Sequence, residues 1–137
     1  MEPIYAALFW NTIVLAAALV AQALLRVKGM GWGYALSNLD SRRQETLLAR
    51  RVTLVTSNQV ETLVLWGLTV LVLVQVAPDV QHPHIGTVAA AFLGARLEYV
   101  VVTLAGLAIA RSAIWAIGFG SWIYLIWIAS PELPIPL

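Results

Sequence analysis

Leu47–Val76 is an apolar run of helical length that carries Asn58 and Glu61 inside it. Arg50 and Arg51 stand at its front edge, and Glu61 is the one charged side chain in the 25 residues that follow them. A carboxylate near the middle of a membrane helix costs roughly 2.5–3.5 kcal/mol to insert. Glu61 therefore needs a function or a partner. Arg96, in the middle of the next apolar run, is the candidate partner.

Composition shows why that run is read as a membrane helix. Of 137 residues, 61% are hydrophobic and 11% charged, with a mean hydropathy of +0.84. A soluble domain is closer to half apolar and a quarter charged. This chain lacks the charged groups to cover a water-facing surface, and it is too short for two domains. The net charge of +1 says nothing about partners, and no basic stripe suited to a nucleic acid is present. Cysteine is absent, which excludes disulfides, thiolate catalysis by the protein and Cys-based metal sites. Any thiol chemistry would use a thiol brought by a substrate.

The remaining runs give four helices, at about 4–25, 47–76, 85–110 and 113–128, in a single membrane domain over residues 1–137. The first run is too poor in leading positive charge for a cleaved signal peptide, because Glu2 precedes it and Arg26 and Lys28 follow it. Gly29, Gly31 and Gly33 follow a membrane helix rather than a strand, so they belong to a connecting loop and not to a nucleotide-binding turn. Asp79, His82 and His84 flank prolines in a short turn. They read as solvated side chains, and no metal site is expected. Arg111-Ser112 is expected to mark a tight connection between helices three and four. Pro131, Pro134 and Pro136 end helix formation.

Charge sets the orientation. Arg26, Lys28, Arg42, Arg43, Arg50, Arg51 and Arg111 fall on one side of such a bundle, whereas Glu2, Asp79 and Glu132 fall on the other. The positive-inside rule places both termini on the non-cytoplasmic side. Tyr5, Trp10, Trp122, Tyr124 and Trp127 gather toward that outer side, as an interfacial belt does.

Counting at 1.5 Å per residue places Glu61 about 21 Å from the cytoplasmic end of its helix and Arg96, counted back from Arg111, about 22 Å from the same side. Asn58 lies one turn from Glu61, and Tyr99 one turn from Arg96. Glu61, Asn58, Arg96 and Tyr99 are therefore expected to form one buried polar knot. Its role is open between helix–helix adhesion and a part in chemistry. Glu98, two positions from Arg96, falls on nearly the opposite face and has no evident partner within the chain. Arg111, at a helix end, is either an anchor that reaches lipid phosphate or a group that meets a polar ligand.

The pattern Arg51-x6-Asn58-x2-Glu61, followed by Arg96-x2-Tyr99 and then Arg111-Ser112 with Trp115 and Gly118, resembles the membrane-associated proteins in eicosanoid and glutathione metabolism (MAPEG). The runs Gly94–Tyr99 and Ala110–Trp115 look like bacterial members. The resemblance covers the whole chain. It implies an all-α homotrimer of four-helix subunits in the inner membrane of a bacterium, with glutathione between neighbouring subunits. An arginine at the place of Arg111 would stabilise the glutathione thiolate, and Ser112 would assist it. Arg26, Lys28 and Arg51 would hold the carboxylates, with Asn58, Glu61, Arg96 and Tyr99 completing the ligand set. The family pattern has arginine at 54, tyrosine at 103 and, in bacterial members, proline at 64, where this chain has Leu54, Thr103 and Val64.

Two functions follow from the resemblance. One is a glutathione-dependent transferase or peroxidase acting on a lipophilic electrophile that arrives through the lipid bilayer. The alternative is a non-catalytic subunit or lipid-binding accessory of a larger membrane complex. A small multidrug exporter, also four helices, would need a membrane carboxylate in its first helix, and none follows Glu2 there.

Overall fold

The computed structural model describes residues 2–36, 45–77 and 82–132. The expected loop segment around Ser37–Ser41 and Asp79 of the histidine turn lie outside them. Five α-helices follow in order: α1 (Glu2–Met30), the short α2 (Trp32–Ala35), α3 (Leu47–Val76), α4 (Ile85–Ala105) and α5 (Ala108–Ala129), then a 3-10 turn at Ser130–Glu132. No strand occurs among the described residues. The four long helices are each long and apolar enough to cross a membrane, so the chain is an integral membrane protein. Lipid offers no hydrogen bonds to backbone groups, and helices satisfy their own. This accounts for helical structure even through valine-rich stretches such as Val70–Val74.

The helices form a bundle: α1 packs on α3 and α4, α3 also packs on α4, and α4 packs along α5, while α3 and α5 meet only over a short stretch. At the end holding the N-terminus of α1, the interior is apolar. Ile4, Ala7, Trp66, Val70, Leu73, Ile85, Phe92 and Leu125 are buried together there. Trp66 stacks on Phe92 at 4.0 Å between ring centroids, and its indole N–H donates to the Ile4 carbonyl at 3.4 Å. The Trp122 indole N–H donates to Thr69 Oγ1 at 2.9 Å. Trp66 is thus buried and Trp122 half-buried, each with its polar atom satisfied.

Toward the other, arginine-rich end the helices are joined by polar contacts. Gln22 on α1 donates to Thr53 on α3 at 3.0 Å, and Gln59 donates to the Arg96 carbonyl at 3.3 Å. Thr46 caps α3, its hydroxyl accepting from the Ala49 amide at 3.2 Å.

The break between the last two long helices is at Gly106-Leu107 and not at the expected Arg111-Ser112. Gly106 has φ 82°, the left-handed region open to glycine, and its amide bonds back to the Thr103 carbonyl at 3.1 Å. Leu107 follows with its amide on the Val102 carbonyl at 2.9 Å, a pairing of the kind that closes helices at glycine. Arg111 and Ser112 therefore belong to the start of α5, and the expected limits 85–110 and 113–128 become Ile85–Ala105 and Ala108–Ala129.

Candidate functional site

A polar seam runs from the arginine-rich end into the interior along the junction of α3, α4 and α5. At its mouth, Arg51 donates through Nη1 to the Leu104 carbonyl at 2.8 Å. That carbonyl lies in the last turn of α4, where intrahelical donors run out. Arg51 thus pins the α4–α5 turn to α3. Its guanidinium also occupies the space that a Cβ at Gly106 would need, so this glycine serves both the turn and the arginine.

About 10 Å further in, seven residues along α3, the Arg96 guanidinium is 0% exposed. Its Nη1 donates to Asn58 Oδ1 at 2.9 Å. The charge also lies 5.5 Å from the Phe92 ring centroid and 5.9 Å from that of Tyr99, within the range of attraction to an aromatic face. On α5, Gly118 leaves room for it, and a Cβ there would overlap the guanidinium. Nε and Nη2 of Arg96 have no protein acceptor.

The expected Glu61–Arg96 pair is not formed. Glu61 is exposed and accepts instead from the Ser57 hydroxyl, one turn back on its own helix, at 3.2 Å. The cause is the position of the α4–α5 turn. Counted from Ala105 rather than Arg111, Arg96 lies about 14 Å from the helix end instead of 22 Å, level with Asn58. Glu61, one turn beyond and rotated outward, is left on the outer face. Asn58, Arg96 and Tyr99 do come together, as the sequence suggested, without the carboxylate.

Between the start of α3 and the α4–α5 turn the seam opens into a cavity of about 210 Å³, lined by Arg50, Arg51, Leu54, Thr103, Leu107 and Arg111 among others. Arg50 and Arg111 have no side-chain hydrogen bond or ion pair among the described residues, and no carboxylate lines the cavity. Ser112 does not line it; its hydroxyl donates to the Ala108 carbonyl at 3.1 Å. Arg26 and Lys28, near the end of α1, do not line it either. Glu98 is exposed and has no ion-pair partner among the described residues.

From Arg111 an aromatic ladder descends α5: Trp115 stacks on Phe119 at 5.2 Å, and Phe119 meets Trp122 at 5.3 Å. A larger groove of about 460 Å³ lies between α1, α3 and α4. It uses Val52 and Val55 of α3 and carries no polar side chain.

Sequence reasoning used Arg50 only for its charge and not as a site residue, did not single out Gln59, and noted Thr103 only as a departure from a pattern. Gly106 was the available signal for the turn, since an isolated glycine inside an apolar helical run often marks a helix end.

No curated protein and no solved structure matches the chain. The model of the MAPEG family matches residues 3–130, which takes in all four membrane helices together with Asn58, Arg96 and the arginine-lined cavity. The chain belongs to the MAPEG family.

Proposed function

We propose that this protein is a glutathione-dependent transferase or peroxidase acting on lipophilic electrophiles, assembled as a homotrimer in the inner membrane of a bacterium with its arginine-rich end toward the cytoplasm. The observation that carries the reading is Arg111, which lines an open cavity beside Arg50 and Arg51 and whose guanidinium has no partner among the described residues.

A guanidinium beside a thiol favours the thiolate and lowers the thiol pKa. The thiolate sulfur then attacks an electrophilic carbon, the leaving group departs with its electron pair, and the thiol proton passes to water. Ser112 joins this step by turning its hydroxyl from the Ala108 carbonyl toward the sulfur. The aromatic ladder Trp115–Phe119–Trp122 gives an apolar electrophile a path along α5 from the bilayer. Arg51 meets one glutathione carboxylate, and Arg26 and Lys28 of a neighbouring copy meet the other.

The outer face of α3 supports a neighbour. Leu54, Ser57, Glu61, Val64, Leu68 and Leu71 are all exposed and repeat at alternating spacings of three and four, the seam of a helix that packs on another. A carboxylate in such a seam is better placed against a second copy than against lipid.

One observation favours the accessory-subunit reading. With Leu54 and Thr103 at the cavity, and Glu61 turned outward, no carboxylate stands ready for the glutathione ammonium. Titration calorimetry of glutathione into the purified protein decides between the two. Saturable binding that Arg111→Ala abolishes supports the enzyme, and absence of binding to the wild type supports the accessory subunit.

A further inference from the structure

Six hydroxyls on the membrane helices share one habit. Those of Thr12, Thr56, Thr62, Thr69, Ser112 and Ser121 each donate to the carbonyl four residues back, at 2.8–3.1 Å. This is how a helix interior usually disposes of such a group. Thr103 departs from it. Its side chain is 2% exposed, its Oγ1 has no hydrogen-bond partner, and it lines the cavity that also holds Arg50, Arg51 and Arg111.

Three further features of that cavity converge on one ligand chemistry. Three arginines line it with no acidic residue among the lining, so its charge is unbalanced by the protein. Leu107 and Ala108, the N-terminal edge of the 22-residue α5, also line it. Leu107 supplies no side-chain cap, and the first amides of a helix lack intrahelical acceptors and favour an anion. Finally, Arg51 is already fixed by its bond to the Leu104 carbonyl, so part of the site is preorganised. At about 210 Å³ the cavity falls below the ~300–1,000 Å³ typical of pockets that enclose a drug-sized ligand. Within one protomer, it suits a compact anionic group.

We propose that this cavity is a binding site for a phosphate monoester, held by Arg50, Arg51 and Arg111, the α5 N-terminus and the Thr103 hydroxyl, and presented by an anionic lipid of the surrounding bilayer. A monoester carries close to two negative charges at neutral pH, against one for the diester of most phospholipids, and so matches a site of three unopposed cations better. The bilayer is the favoured source because the flanks of the cavity are apolar and open: Leu47 and Leu107 are exposed, and Ile109 is 89% exposed. The proposal does not rest on glutathione binding, and it predicts that such a lipid and a thiol ligand compete for Arg111.

The test is lipid retention with no thiol present. Delipidated protein in detergent is offered equal amounts of phosphatidic acid, phosphatidylglycerol and phosphatidylcholine, and bound lipid is counted by native mass spectrometry. A parallel arm titrates inorganic phosphate alone. Phosphatidic acid is expected to bind roughly tenfold more tightly than the other two, as charge-assisted hydrogen bonds of this kind allow. Thr103→Val changes no charge and is expected to weaken it about fivefold, whereas Thr103→Ser retains it. Arg50→Gln is expected to lose most of the preference. Circular dichroism confirms that each variant keeps its helices. Binding of inorganic phosphate that Thr103→Val weakens, without preference among the lipids, keeps the phosphate chemistry but overturns the bilayer as its source. Equal binding of all three lipids without phosphate binding, or a preference for phosphatidic acid that Thr103→Val leaves unchanged, overturns the site. Failure of glutathione to bind leaves every one of these outcomes readable.

Discussion

The Arg96 guanidinium on α4 lies against the backbone of Gly118 on α5, in space that a side chain at 118 would fill. A cation that is costly in hydrocarbon is thereby enclosed by its hydrogen bond to the Asn58 amide oxygen and two ring faces, with α5 closing over it.

Gly118→Ala is therefore expected to destabilise the protein more than an ordinary helix substitution. The added methyl must displace the guanidinium or separate α4 from α5, an overpacking cost of about 1–3 kcal/mol or more. Thermal unfolding in detergent measures it. Gly120→Ala, where an added Cβ meets nothing within 4 Å, is the control and is expected to change stability little.

The hydrogen bonds around Arg96 predict which residues are coupled. A double-mutant cycle of Asn58→Ala with Arg96→Met should show a coupling of about 0.5–3 kcal/mol, as for residues in one network. The same cycle with Glu61→Gln in place of Asn58→Ala should be additive, because Glu61 bonds Ser57 instead. Strong coupling between Glu61 and Arg96 would contradict the arrangement of the seam.

The helices themselves were legible in the sequence because apolar runs bounded by charge and proline leave a membrane chain few alternatives. The grouping of Asn58, Arg96 and Tyr99 was legible too, since spacings of three place residues on one face. Glu61 was misassigned for one reason: the depth of Arg96 was counted from Arg111, whereas the turn is at Gly106. A polar pair at the headgroup level looks like a helix end, and a single glycine in an apolar run does not force one. The cavity at the turn was illegible for the same reason, because Thr103 and Arg50 line one cavity beside the turn that follows Ala105. The exposed stripe of α3 is plain only once the buried face is known.

Sidedness can be read from single cysteines, as the chain has none of its own. Ser41→Cys is expected to label only from the cytoplasm and Gln81→Cys only from outside. Labelling of Ser41→Cys in intact cells by an impermeant reagent would reverse the orientation.

The exposed seam of α3 predicts contact between copies. Val64→Cys, one turn from Glu61 on that face, should form a disulfide-linked pair of chains on mild oxidation in native membranes. Gly94→Cys, on α4 with open space around it, should not. Mass measurement in mild detergent should give three chains. A monomer that keeps its helices would remove the neighbouring Arg26 and Lys28 from the ligand site.

Arg111 tests the functional account most directly. An anchor at the headgroups needs only positive charge, so Arg111→Lys would serve as well as the wild type. Thiolate stabilisation uses the planar fork and its fixed donors, which lysine lacks. The measurement is the rate of glutathione conjugation to a generic aryl halide by wild type, Arg111→Lys and Arg111→Ala, with trimer content determined beside it. The account predicts that all three assemble and that both variants lose most of the wild-type turnover. Full activity in Arg111→Lys, or a wild type that neither binds glutathione nor turns over, would contradict it.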